Sequence, residues 1–153
     1  MKYLRALLWL AVMINITVIF IFSSQPATQS NEVSKGVTEN IIEMLPQTKD
    51  LPAQEKENAI VKSNNLVRKY AHFTLYFLLG LTVMLAVMFN FTDKNRLNKW
   101  LLCLSICLLY SISDEVHQIF VDGRGCQFKD VLIDFGGSLV GSGIIVGVKT
   151  PRK

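Results

Sequence analysis

The chain is short of the groups that usually stitch or ligate a protein: it has three cysteines and two histidines in 153 residues. Cys103 and Cys107 stand one helical turn apart inside an apolar stretch, where cysteine serves as a small hydrophobe, and Cys126 stands alone. That excludes a disulfide framework. There is no H-E-x-x-H pair, no acyl-CoA or phosphate-binding loop, no internal repeat and no low-complexity tract. Their absence removes the tightly spaced metalloprotease motif and the repeat architectures. Charge is also sparse, at 18% of residues, and the net charge of +4 is gathered in short clusters. Topology explains these clusters better than a basic face for nucleic acid, and no nucleic-acid partner is expected.

What the chain has in abundance is apolar sequence, half of its residues, in four blocks: Ala6–Phe22, Tyr70–Phe91, Trp100–Val121 and Val131–Val148. A helix crosses the hydrocarbon core, about 30 Å thick, with roughly 20 largely apolar residues. Each block is near that length. One such block could be a core helix of a soluble domain, but four leave too little polar sequence to cover them. The fold class expected is therefore all-α integral membrane, a single domain over residues 1–153 with spans near 6–22, 70–91, 100–121 and 131–148.

Lys2 and Arg5 precede the first block, Lys94, Arg96 and Lys99 lie between the second and third, and Lys149, Arg152 and Lys153 follow the fourth. The positive-inside rule places all three clusters in the cytoplasm, which an even number of spans allows. Residues 23–69, with acids and bases in equal number, then form an extracytoplasmic segment. Tyr3, Trp9, Tyr70 and Trp100 fall near block ends, where interfacial aromatics belong. The first block resembles a secretory signal in its basic start and small-polar exit. Its apolar stretch of about 17 residues exceeds the 7–15 of a signal core, and no A-x-A site follows, so it is read as a retained span.

Within the outer segment, Val33, Val37, Ile41, Ile42 and Leu45 recur at helical spacing and stop before Pro46. Such an amphipathic helix either packs as a solvated element on its neighbours or lies on the outer leaflet. From Ala53 a helix is expected to run unbroken into the second span. The fourth block carries two small-xxx-small pairs, Gly137 with Gly141 and Gly143 with Gly147. These favour close helix packing, read as intramolecular in preference to dimerisation; the oligomeric state stays open.

Four polar clusters interrupt the apolar background: Ser23-Ser24-Gln25; Arg68-Lys69 with His72 and Tyr76; Asp114-Glu115 with His117, Gln118 and Arg124; and Asp130 with Asp134. The topology sends all of them to the outer end of the bundle. Asp114 lies 14 residues beyond Trp100 (114 minus 100), about 21 Å at 1.5 Å per residue, and so beneath the outer boundary of the core. A carboxylate at such depth costs about 2.5–3.5 kcal/mol even on lenient scales, so it needs a partner or a wet cavity. Asp114, His117 and Gln118 share one helical face, Arg68, His72 and Tyr76 a second, Asp130 and Asp134 a third. Three stripes can converge into one pocket. Its candidate ligand-binding residues are Arg68, Lys69, His72, Tyr76, Asp114, Glu115, His117, Gln118, Arg124, Asp130 and Asp134. For acid–base chemistry the candidates are His72, Asp114, Glu115, His117 and Asp134. Two histidines with carboxylates offer ligand types for a divalent ion, but without a tight motif no metal and no cofactor is assigned. The bland alternative is that Arg68, His72, Asp114 and Asp134 neutralise one another as a structural network. A proton-coupled transporter would want ionisable groups near the midplane, and the inner half of the four blocks shows none.

The runs Phe22-Ser23-Ser24-Gln25, Arg68-Lys69-x-Ala71-His72-Phe73-x-x-Tyr76, Asp114-Glu115-x-His117-Gln118-x-Phe120-Val121-x-Gly123-Arg124 and Asp130-Val131-x-x-Asp134-x-x-Gly137 together resemble the VanZ-like family of small bacterial membrane proteins. The likeness covers nearly the whole chain. It departs only at Asp122, where the family usually has proline before Gly-Arg. The resemblance implies a multi-pass protein of the bacterial cell membrane and a link, through the family's founding member, to resistance to the glycopeptide teicoplanin. An older label of phosphotransbutyrylase finds no support in these residues.

The expectation is thus an envelope-facing factor that binds a membrane lipid or lipid-linked envelope component and affects glycopeptide sensitivity. The alternative is a membrane enzyme that modifies an envelope lipid, with His72 or His117 as base and carboxylates as acid or metal ligands.

Overall fold

The computed structural model describes residues 2–48 and 52–148, and all regular structure among them is helical. Five α-helices follow in order: α1 Lys2–Ser23, α2 Ala27–Met44, α3 Ala53–Asn90, α4 Arg96–Gln118 and α5 Phe128–Gly147, with a 3₁₀ turn at Pro46–Thr48. Four of them, α1, α3, α4 and α5, are long and apolar enough to cross a membrane. The basic residues Lys149, Arg152 and Lys153 lie outside the described residues.

Helix α3 is the spine. It packs against every other helix, most extensively α5. At 38 residues it spans about 57 Å at 1.5 Å per residue, so it far outreaches a bilayer core. The expected continuity from Ala53 into the second span is found. Helix α4 stops at Gln118, not at Val121, because Val121 and Arg124 close successive turns on Gln118 and Val121 and Gly123 takes a φ of 72°.

The interior is small and tight. Val12 and Ile19 of α1, Leu79, Val83, Met84 and Val87 of α3, and Cys103 and Cys107 of α4 form its apolar part. Both cysteines are thiols acting as small core groups. Large side chains such as Leu109, Leu101, Leu132 and Ile144 face outward, the arrangement suited to lipid. The α3–α5 crossing depends on glycine: a Cβ at Gly137 would meet the Phe73 carbonyl and one at Gly141 the Phe77 carbonyl. Gly143 and Gly147 have open space beside them, so only the first small-residue pair makes a helix contact among the described residues. At the other end of α5, Arg96 donates to the carbonyls of Ile145 and Val148 and so caps the helix C-terminus with a cation.

Helix α2 inverts the usual amphipathic arrangement. Its buried stripe is Ser30, Ser34, Thr38 and Ile42, while Val33, Val37, Ile41 and Met44 are exposed. Ser34 and Thr38 return their hydroxyls to carbonyls one turn back, Ser30 and Ser34 respectively. Short side chains with satisfied hydroxyls let α2 lie against α3 and leave its apolar stripe outside.

Candidate functional site

The polar clusters meet at one end of the bundle, where α1 ends, α4 ends and α5 begins against the middle of α3. A Ser23 hydroxyl on the last turn of α1 donates to Asp114 Oδ2 at 2.8 Å, a buried bond. Its neighbour Ser24 lies 3.1 Å from His117 Nε2, and the imidazole stacks obliquely on Phe20. The loop after α4 is stitched to the exit of α1 by Arg124. Its guanidinium donates to the Gln25 carbonyl at 2.9 Å, the Phe22 carbonyl at 3.2 Å and Gln118 Oε1 at 3.4 Å. The Ala27 amide completes the seam by donating to the Asp122 carbonyl at 3.0 Å. Glu115, almost fully buried, accepts the Gln127 amide at 2.9 Å and so anchors the residue that opens α5.

A cavity of about 90 Å³ lies among these elements, lined in part by Arg68, Lys69, His72, Glu115, Gln118, Arg124, Asp130 and Asp134. Beside it runs an apolar groove of about 530 Å³ between α2, the exit of α1 and α3, with Val33, Val37, Val67, Ala71 and Leu75 in its walls. Arg68 and His72 line both.

The charges in this site are poorly balanced. Lys69 reaches Asp130 at 3.7 Å, and His72 Nδ1 stands 3.9 Å from Asp134 Oδ1. The second distance admits attraction but no hydrogen bond, and both Asp134 oxygens are buried without a hydrogen-bond partner. Arg68 spends its donors on Asn31 and Asn65, at 3.0 and 3.1 Å, and not on a carboxylate. The mutual neutralisation of Arg68, His72, Asp114 and Asp134 is therefore only partly made. Arg124 has its pKa lowered from the ordinary value, by burial first and then by the neighbouring Arg68 charge.

The structure thus gathers Arg68, Lys69, His72, Glu115, Gln118, Arg124, Asp130 and Asp134 on one cavity. Asp114 and Tyr76 lie buried beside His72 and Asp134. His117, grouped with Asp114 and Gln118 by helical spacing, contacts Ser24 and Phe20 and is not among the residues that line this cavity. Ser23 as the donor to Asp114 and Asn31 as the partner of Arg68 were not singled out from sequence. Both contacts join residues remote in the chain, and only the packing of α1 and α2 on the bundle creates them.

The family model described as VanZ/LLP1 matches the chain over residues 7–149. No curated protein and no solved structure matches it.

Proposed function

The chain belongs to the VanZ/LLP1 family, and from that premise we propose that it is an envelope-facing factor of the cell membrane that holds a lipid-linked or lipidated molecule with an anionic headgroup. The observation that carries this reading is the sharing of Arg68 and His72 between a polar cavity and an apolar groove. An amphiphile has the matching division. Its headgroup would occupy the cavity and its chain the groove beside α2, whose exposed Val33, Val37 and Ile41 meet lipid. Arg68 and Arg124 repel each other across this site, and an anion held by both relieves that repulsion through charge-assisted bonds.

Arg5, Lys94, Arg96 and Lys99 belong to the opposite end of the bundle, which by the positive-inside rule faces the cytoplasm. Both termini are then cytoplasmic and the cavity opens to the outer leaflet. Altered sensitivity to teicoplanin-type glycopeptides, implied by the family resemblance, follows from withholding or presenting an envelope lipid.

Native mass spectrometry of protein purified from its membrane tests the reading. Wild type should retain an anionic envelope lipid, and Arg68→Ala should release at least tenfold more of it than wild type does. Ala71→Trp, which fills the groove and leaves every charge in place, should do the same. A lipid-free wild type, or equal retention by all three proteins, defeats the proposal.

A further inference from the structure

At the base of the cavity, two carboxylates and an imidazole face one another, and one of the carboxylates has no hydrogen-bond partner on either oxygen. His72, Asp114 and Asp134 each offer one ligand atom, and the three atoms lie within 4.8 Å of one another. Asp134 is 1% exposed, and neither of its oxygens has a hydrogen-bond partner. The Tyr76 hydroxyl, on the same face of α3 one turn beyond His72, is also buried and faces Asp114 and Asp134. The basic residues of the site are occupied elsewhere: Lys69 with Asp130, Arg68 with two asparagines, Arg124 with carbonyls and Gln118. Among the described residues the one ion pair to Asp134 is the 3.9 Å approach of His72. A buried carboxyl group without a hydrogen-bond partner is costly, and such an orphaned polar atom in an apolar bundle calls for a water or an ion.

We propose that His72, Asp114 and Asp134 bind a divalent transition-metal ion, Zn²⁺ or Mn²⁺. Two carboxylates with one imidazole form a donor set these ions accept, harder than a thiolate site and softer than an all-oxygen cage. Three protein ligands with bonds near 2.0–2.2 Å stand about 3.4 Å apart around a tetrahedral centre, so the present triangle contracts by roughly an ångström to close on the ion. Ser23 holds Asp114 by Oδ2 and fixes the direction from which that carboxylate reaches. His72 and Asp134 line the cavity, so the remaining coordination position opens into it and suits a phosphate or carboxylate oxygen. Metal binding does not rest on the lipid reading, and each can fail without the other.

The test uses the full chain purified in detergent, stripped with chelator, loaded separately with Zn²⁺ and Mn²⁺, desalted and assayed by plasma mass spectrometry. Wild type should retain about one equivalent of at least one of the two metals and gain in melting temperature on loading. His72→Ala and Asp134→Asn should each lose at least nine-tenths of that metal, while Asp130→Asn, at the neighbouring ion pair, keeps it. Retention of neither metal by wild type overturns the proposal. So does retention by His72→Ala or Asp134→Asn, since the ion would then sit elsewhere. If both variants fail to fold, the wild-type melting shift decides: its absence counts against the site. Lipid retention measured on the stripped protein separates this proposal from the lipid reading.

Discussion

Ser23 and Ser24 are adjacent in sequence yet serve different partners, one Asp114 and the other His117, because consecutive helical residues point about 100° apart. The first contact is the more consequential. Asp114 is nearly fully buried, and the Ser23 hydroxyl is the donor that satisfies its Oδ2. A hydrogen bond to a charged group is worth about 1.5–3 kcal/mol. Ser23→Ala should therefore lower stability by about that amount, read as a fall in the thermal unfolding midpoint in detergent. An unchanged midpoint would mean that Asp114 is held by something else. Arg124 makes a complementary case. Its planar fork reaches two carbonyls and an amide oxygen at once, which a lysine ammonium cannot reproduce. Arg124→Lys keeps the charge but should lower the unfolding midpoint nearly as far as Arg124→Ala. Full stability of the lysine variant would show that charge alone matters there.

At the level of helices, the glycines of α5 separate into two kinds that the spacing alone could not distinguish. Gly137 and Gly141 bring the backbone of α5 onto Phe73 and Phe77 of α3, and a methyl group at either meets carbonyl oxygen that has no room to move. Gly143 meets nothing. Gly141→Ala should cost at least about 1–3 kcal/mol, the usual range for overpacking. Gly143→Ala should be neutral or stabilise by up to about 1 kcal/mol, from helix propensity. A loss at Gly141 with none at Gly143 in paired thermal unfolding experiments is the expected result; equal losses would refute the difference in packing. The two pairs also mark how far the sequence can be read. Span positions, the unbroken α3 and the apolar stripe of α2 follow from periodicity and block length, since burial in lipid leaves a compositional trace. Which face of α2 meets α3 did not follow. Periodicity identifies the apolar stripe but is silent on whether that stripe turns toward protein or lipid, and Ser30, Ser34 and Thr38 took the protein side. Likewise, three-and-four spacing grouped His117 with Asp114. The exit of α1 then captured the imidazole by bonding it to Ser24 and stacking it on Phe20, contacts set by tertiary packing.

For the whole molecule, the site and the orientation are linked through one loop. The turn between α4 and α5 carries Arg124 and Cys126 together, so whichever side of the membrane exposes Cys126 also exposes the rim of the cavity. Cys126 is exposed, whereas Cys103 and Cys107 are buried in the apolar core. A membrane-impermeant maleimide applied to intact cells should therefore label one cysteine, and Cys126→Ser should abolish the label. Blocking from outside before lysis should leave no further reactive thiol on the folded protein. Labelling only after the membrane is opened would put the cavity in the cytoplasm. That would remove the outer-leaflet ligand while leaving the fold, the apolar groove and the His72–Asp114–Asp134 cluster untouched. The charge distribution argues against that outcome: inverting the bundle would place Arg5, Lys94, Arg96 and Lys99 outside and leave the charge-balanced segment before the second span within.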